Sequence, residues 1–190
     1  MLQLQVDQLK PRVQWDVRLP MRDGVELSAD IYFPPTGSGP WPVILQRTPY
    51  DNTMPLWVNI AVYFAERGCA FVSQDVRGRP DSDGRWEPFV NEGPDGYDTI
   101  EWIAEQPWCN GKIGMMGGSY GGFVQWIAAK ERPPHLTALV STAAAGRWME
   151  EAPYRFGITA PYWMFWLNLV GGHTQQQPLL NNPTVPDWPR

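Results

Sequence analysis

The sequence predicts an α/β protein in which helices cover both faces of a mostly parallel sheet. Short apolar runs alternate with segments of helical periodicity through the middle of the chain, which is typical of βαβ units. Glycines and prolines stand singly between these segments, so they separate elements and do not form low-complexity runs. The composition is that of a globular chain, with 43% hydrophobic and 18% charged residues in a length of 190.

The predicted elements follow one another in a regular order. Two extended runs, 13–20 and 25–33, flank the dipeptide Asp23-Gly24, a strong signal for an antiparallel hairpin. The apolar runs that follow are short, as expected of buried parallel strands, and the helical segments repeat apolar residues every three or four positions. Strands are predicted over 43–46, 70–73, 112–116 and 136–142, and helices over 57–67, 95–105 and 121–130.

The pattern changes near Gly146, where we place a boundary. Residues 148–166 are rich in aromatic side chains without strand-like alternation, which predicts a helical segment outside the sheet. Residues 175–190 are polar and rich in proline. The aromatic residues are Trp148, Tyr154, Phe156, Tyr162, Trp163, Phe165 and Trp166.

Charge and composition exclude several classes of function. The chain carries 15 basic and 20 acidic residues, a net charge of −5, so no basic surface is expected for a nucleic-acid partner. Two cysteines and two histidines are too few for a spaced metal cluster, so no metal is expected. No stretch approaches the roughly 18 apolar residues of a membrane span, and the N-terminus lacks a leader pattern. The expected location is therefore the cytoplasm, with no membrane partner.

Residues 117–121 read Gly-Gly-Ser-Tyr-Gly and match the pattern G-x-S-x-G between a predicted strand and a predicted helix. That setting is typical of a nucleophile elbow, in which a strained turn exposes a serine and small neighbours avoid collisions. The motif alone fits a simple glycine-rich turn equally well. The glycines do not follow the spacing of dinucleotide- or phosphate-binding loops, so no cofactor is expected.

Five ordered motifs resemble the family that contains bacterial cocaine esterase, Xaa-Pro dipeptidyl-peptidases, glutaryl acylases and α-amino-acid ester hydrolases, the CocE/NonD-type hydrolases. The resemblance covers about residues 13–170. The motifs are Met21-Arg22-Asp23-Gly24-Val25-Glu26-Leu27, Arg47-Thr48-Pro49-Tyr50-Asp51, Gln74-Asp75-Val76-Arg77-Gly78 with Ser82-Asp83-Gly84, Glu101-Trp102-Ile103 with Gln106-Pro107-Trp108-Cys109-Asn110-Gly111, and Gly117-Gly118-Ser119-Tyr120-Gly121-Gly122-Phe123.

This resemblance implies an α/β-hydrolase fold, with the N-terminal portion of the catalytic domain in residues 1–145 and the start of a helical cap in 146–190. It implies that Ser119 is the nucleophile and that the Tyr50 hydroxyl belongs to the oxyanion hole. The backbone N–H of Tyr120, the residue after the nucleophile, is the expected second donor. Asp75 and Arg77 are expected to brace the loop near the nucleophile.

The acid and the histidine of a triad follow the serine in this fold class. The residue types alone permit Ser119 with Glu150 or Glu151 and His173, but no pair of further strands precedes them. His135 lies in a Pro-Pro-His loop and is expected to be an ordinary loop histidine. Because the resemblance places both triad partners beyond the cap, we expect an N-terminal fragment that is inactive alone. Glu131 and Asp187 are the other acids that follow Ser119.

The expected activity is acyl-enzyme hydrolysis of a small-molecule ester, amide or Xaa-Pro peptide, and the residues favour none of these substrates. Two alternatives stay open. One is a non-catalytic interaction module that associates through an open sheet edge. The other is a small self-sufficient esterase that uses His173 as its base. No oligomeric state is predicted.

Overall fold

A computed structural model describes residues 10–144, 154–155, 158–159 and 161–171. Its centre is a six-stranded sheet with the order β1-β2-β4-β3-β5-β6. Strands β3 to β6 run parallel, whereas β1 and β2 are antiparallel to their neighbours. The strands are β1 (Arg12–Pro20), β2 (Glu26–Phe33), β3 (Trp41–Thr48), β4 (Ala70–Asp75), β5 (Cys109–Gly118) and β6 (Leu136–Thr142), and the helices between them are α1 (Pro55–Ala65), α2 (Glu92–Ala104) and α3 (Tyr120–Lys130).

The entry hairpin forms where the Asp-Gly signal predicts it. Gly24 adopts φ +85° and donates its N–H to the carbonyl of Met21 at 2.9 Å, which closes the turn between β1 and β2. A bulge between Gln14 and Val17 interrupts the register. β1 and β2 therefore add an antiparallel pair to the sheet, next to the parallel strand β4.

Helices lie on both faces of the sheet, as predicted. Ile100 of α2 and Val124 of α3 belong to the core that includes Leu45 and Val72 on one face. Ala61 and Ala65 of α1 pack with Phe71 of β4 on the other face. Because successive strand residues point to opposite faces, β4 contributes Phe71 to one core and Val72 to the other.

Helix α2 and the aromatic segment differ most from their predictions. Helix α2 begins at Glu92, three residues earlier than predicted, because Glu92 and Asp95 are buried and hydrogen-bonded, so these acids do not form a solvated start. The aromatic segment contains a short antiparallel pair, β7 (Tyr154–Arg155) and β8 (Ile158–Thr159), before helix α4 (Pro161–Val170). Tyr154 is aromatic, and Ile158 and Thr159 are β-branched, residue types that favour such pairing over a continuous helix.

The boundary near Gly146 and the polar tail over 175–190 lie outside the described residues. Among the described helices, none combines the length and apolar character that a membrane crossing requires.

Candidate active site

Ser119 occupies the tip of a strand–turn–helix, between the end of β5 and the first residue of α3. Its backbone has φ 55° and ψ −122°, a conformation that is costly for a non-glycine residue, and its side chain is exposed. The Ser119 N–H donates to the carbonyl of Thr142 at 2.9 Å, and its own carbonyl accepts from Gly122 and Phe123 at 3.0 Å. These bonds hold the strained turn by its main chain.

Close backbone contact explains the glycine at position 117. Gly117 has φ +154°, and a Cβ atom there would lie 2.8 Å from the carbonyl oxygen of Gly121. Any side chain would push the first turn of α3 away from the end of β5. The spacing of the motif therefore has a steric cause at this turn.

Tyr50 follows β3, and its hydroxyl lies beside Ser119 in the lining of one pocket, close enough for Ser119 to act on the Tyr50 pKa through hydrogen bonding. The Tyr50 oxygen also accepts from Nε1 of Trp166, on α4, at 3.2 Å. Burial raises the pKa of Tyr50, while the bonds with Ser119 and Trp166 oppose that rise. Because the raised pKa keeps the phenol protonated at neutral pH, Tyr50 can donate to an oxygen beside Ser119. Its position agrees with the expectation that the loops after parallel strands lie together at the carboxyl ends of those strands.

Tyr120 presents two different groups. Its N–H is at the first position of α3, where no intrahelical acceptor exists, and the positive end of the helix dipole lies there. Its hydroxyl is buried, donates to Oε1 of Glu92 at 2.5 Å and accepts from the N–H of Phe89 at 3.1 Å. Burial, and then the negative charge of Glu92, raise the pKa of Tyr120 well above its usual value. The side chain therefore anchors the turn, while the N–H, without a helical acceptor, lies directly after Ser119.

A buried ion pair between Arg47 and Glu92 lies behind the Ser119 turn, and the sequence analysis did not predict it. Arg47 and Glu92 approach to 3.2 Å with side chains that are 0% and 3% exposed. Burial raises the pKa of Glu92, whereas Arg47 and the Tyr120 hydroxyl lower it. One signal was available, since Arg47 directly follows the apolar run 43–46 that predicts a buried strand.

A pocket of about 200 Å³ opens beside Ser119. Its described lining is mostly aromatic, and none of the lining side chains carries a formal charge at neutral pH. Such a lining suits an apolar group next to the Ser119 hydroxyl. The lining residues are Tyr50, Phe89, Ser119, Tyr120, Phe123, Ala143, Ala144, Tyr162, Trp163 and Trp166.

Asp75 and Arg77 lie where a bracing role would put them. Arg77 pairs with Asp95 at 2.6 Å and with Asp23 at 2.7 Å. Asp75 is buried and accepts the N–H of Asn52 at 2.9 Å, two residues after Tyr50. Both side chains therefore hold loops near the site and do not line the pocket.

His135 is remote from the pocket in the described structure. It precedes β6, whereas Ser119 follows the parallel neighbour β5, so the two lie at opposite ends of the parallel strands. Its Nδ1 lies 2.7 Å from Oε2 of Glu101. The other triad candidates, Glu150, Glu151, His173 and Asp187, lie outside the described residues. The described ranges hold no group of three or more His, Cys, Asp or Glu side chains suited to a metal ion.

The mixed sheet, its flanking helices and the serine-bearing turn after β5 define an α/β hydrolase of the CocE/NonD type. The chain matches the X-Pro dipeptidyl-peptidase (S15) family over residues 23–183 and belongs to that family. The family resemblance noted from the sequence is thereby confirmed.

Individual relatives agree with this assignment. Cocaine esterase from Rhodococcus sp. (strain MB1 Bresler) is 42% identical over 134 residues, covering 68% of this chain and 23% of that protein. The structure of an α-amino acid ester hydrolase superposes with a TM-score of 0.76 at 28% identity, covering 89% of this chain and 31% of that one. A CocE/NonD family hydrolase from Staphylococcus aureus gives a TM-score of 0.77 at 26% identity, covering 86% and 33%. The chain therefore spans between 23% and 33% of these relatives' lengths.

Proposed function

We propose that this chain carries the nucleophile and the oxyanion donors of a serine hydrolase that cleaves carboxylic esters through an acyl-enzyme. The observation that carries the proposal is the position of the Tyr50 hydroxyl beside Ser119, on an elbow whose next N–H, from Tyr120, lacks a helical acceptor. Ser119 Oγ attacks the acyl carbon and the tetrahedral oxygen gains the negative charge. The alcohol then leaves with the proton that Ser119 gave up as the acyl–serine ester forms, and water cleaves that ester, which releases the carboxylic acid and restores the Ser119 hydroxyl.

The pocket favours an ester with an apolar, flat acyl group over an Xaa-Pro peptide. Aromatic side chains such as Phe89 and Phe123 form its described lining, and no acid there could pair with the ammonium group of a peptide N-terminus. The name of the Rhodococcus relative, cocaine esterase, also supports an ester as the substrate. Amides and Xaa-Pro peptides are therefore the competing substrates to test.

Turnover needs a base that takes the proton of Ser119. The described residues bring no histidine to the pocket, so the hydroxyl stays protonated and weakly nucleophilic. We accordingly propose that the 190-residue chain alone hydrolyses esters barely above background. The oxyanion donors and binding can still supply roughly 10³–10⁴-fold over water when triad members are missing.

The test compares p-nitrophenyl butyrate, p-nitroacetanilide and Gly-Pro-p-nitroanilide as substrates of the purified chain. The expected result is slow ester cleavage that Ser119→Ala abolishes, with no cleavage of the two anilides. Ser38→Ala, in an exposed loop, is the matched control and should keep the wild-type rate. An unchanged rate in Ser119→Ala refutes the proposed nucleophile, and faster Gly-Pro cleavage shifts the substrate to Xaa-Pro peptides.

His173→Ala tests whether the chain is a self-sufficient esterase that uses His173 as its base. We expect it to leave the slow rate unchanged. Vigorous ester hydrolysis that disappears in this variant makes His173 the base and the chain a self-sufficient esterase.

An interaction module is a second candidate, and the exposed edge of the sheet favours it. In the described structure β6 pairs only with β5, and Val140 on β6 is 61% exposed. Association along this edge predicts a stable dimer in size exclusion with light scattering, which Val140→Lys would dissociate. A monomer at all concentrations removes this candidate.

A further inference from the structure

Arg79 is a fully buried cation behind the candidate site. Its side chain is 0% exposed, and its guanidinium carbon lies 4.8 Å from the centre of the Trp86 ring. Gly78 permits this stacking, because a Cβ atom there would lie 2.2 Å from the backbone nitrogen of Trp86. Burying a guanidinium costs free energy unless its N–H groups form hydrogen bonds. The acceptors of those bonds therefore identify the parts of the structure that Arg79 fixes.

Two of those bonds join separate parts of the site. Nε of Arg79 donates to the carbonyl of Pro49 at 2.7 Å, and Nη1 donates to the carbonyl of Val170 at 2.5 Å. Pro49 directly precedes Tyr50, whereas Val170 is the last residue of α4. A cation at a helix C-terminus also interacts favourably with the helix dipole.

The same two elements meet again at the Tyr50 hydroxyl. Trp166 lies one helical turn before Val170, and its indole N–H donates to the Tyr50 oxygen at 3.2 Å. Arg79 thus fixes the backbone beside Tyr50 and the end of the helix that contacts the phenol. With the indole bound to the phenol oxygen, the single phenol proton is directed away from Trp166, and Ser119 lies within its reach.

We propose that Arg79 is a positioning residue of the oxyanion hole, which aligns the Tyr50 O–H over Ser119 by clamping the loop of Tyr50 to the C-terminus of α4. The proposal rests on the function proposed above for Ser119 and Tyr50. The Arg79 charge also acts on Tyr50 directly by lowering its pKa, although burial outweighs that effect. Lysine can replace the charge, but it lacks the planar fork that reaches two carbonyls in fixed directions.

The test uses n-butylboronic acid, which needs no turnover. Its boron forms a bond with Ser119 Oγ, the serine proton passes to solvent, and the tetrahedral adduct carries a negative charge beside the oxyanion donors. Titration of the 190-residue chain at pH 8, followed by ¹¹B NMR and tryptophan fluorescence, gives the dissociation constant. Ser119→Ala should show no adduct.

Arg79→Lys is expected to weaken the adduct about tenfold, and Tyr50→Phe about 10–100-fold, since one oxyanion donor is typically worth about 10²–10³ in rate. Arg67→Met is the matched control. Arg67 also donates to a backbone carbonyl and stacks on a ring, that of Tyr63, but it lies at the exposed end of α1. It should leave the dissociation constant unchanged.

A double variant separates positioning from general stability. In a Tyr50→Phe background, Arg79→Lys should change the dissociation constant less than about twofold, because the donor that it aligns is gone. A merely structural role would give the same fold-change in both backgrounds and would overturn the inference. So would wild-type affinity in Arg79→Lys.

Absence of any Ser119-dependent adduct in the wild type refutes the proposed function itself. If Arg79→Lys does not fold, exchange of the Arg79 Nε–H in the wild-type protein, assigned through its contact to Trp86, decides the inference. Adduct formation should slow that exchange about tenfold by reciprocity, and an unchanged rate overturns the proposal.

Discussion

The buried carboxyl group of Asp75 should make the stability of this protein fall as the pH rises. Asp75 is 0% exposed at the end of β4. Burial raises its pKa from 3.8 to about 7, although the N–H groups of Asn52 and Asp81 donate to it and oppose the shift, and the charges of Asp51 and Asp81 add to it. The folded protein thus binds this proton more tightly than the unfolded chain does.

The sign and size of the effect follow from proton linkage. Below about pH 4 the group is protonated in both states and contributes no penalty. Between about pH 4 and 7 the unfolded chain loses the proton first, so the free energy of unfolding decreases. A shift of roughly three pKa units corresponds to about 4 kcal/mol, and relaxation around the carboxylate should reduce the observed loss to about 2–4 kcal/mol.

The perturbation is Asp75→Asn, measured by urea unfolding at intervals from pH 4.5 to 8. The variant lacks a second acceptor for the Asp81 N–H, so we expect it to be slightly less stable than the wild type at pH 4.5. Its stability relative to the wild type should then rise by about 2–4 kcal/mol by pH 8. Groups with lowered pKa values, such as Asp16 and Asp23, contribute equally to both proteins and cancel.

Asp83→Asn is the control, because its side chain is 63% exposed. It should track the wild type at every pH. A difference between Asp75→Asn and wild type that stays constant within about 0.5 kcal/mol across this range would refute the assignment of a buried, strongly shifted carboxyl group.

Three further outcomes follow from the same packing. Arg47→Met should cost about 3–5 kcal/mol of unfolding free energy by leaving Glu92 buried and unpaired, and a second change, Glu92→Leu, should recover most of it, both by urea unfolding. Gly96→Ala should lower the melting temperature although alanine favours helices by about 1 kcal/mol, because its Cβ would lie 2.6 Å from that of Ala128; a higher melting temperature would contradict the tight packing of α2 on α3. Tyr50→Phe should slow labelling of the predicted nucleophile by a fluorophosphonate probe about 10²-fold at an unchanged melting temperature, and an equal labelling rate would remove the phenol from the oxyanion hole.

The sheet and its helices could be predicted because their signals are local. Apolar runs, helical spacing and single glycines predicted every strand from β1 to β6 and each helix from α1 to α3 within a few residues. The turn at Ser119 was equally accessible, since glycines and flanking elements lie within a short stretch of chain. Tyr50 was different, because only the resemblance to a known family singled it out from other turn aromatics.

The buried polar partners could not be predicted for a related reason. Arg47 and Glu92 are 45 positions apart, and each alone reads as a solvated charge. Arg79 contacts Val170 across 91 positions, so its role exists only after the chain has folded. Side-chain burial of a charge depends on a distant partner, whereas a strand or an elbow depends on its immediate neighbours.

The main-chain bond from Ser119 to Thr142 makes the conformation of Ser119 depend on the edge strand β6. Thr142 ends β6, which pairs only with β5 in the described structure, and Gln125 of α3 also donates to β6 at the carbonyl of Val140. Peripheral strands open at lower free energy than central ones. Fraying of β6 would therefore release the strained turn from its restraint without disturbing the core. The Ser119 amide should therefore exchange at the same rate as the amides of β6. Any element that pairs with the free edge of β6 would stabilise the conformation of Ser119.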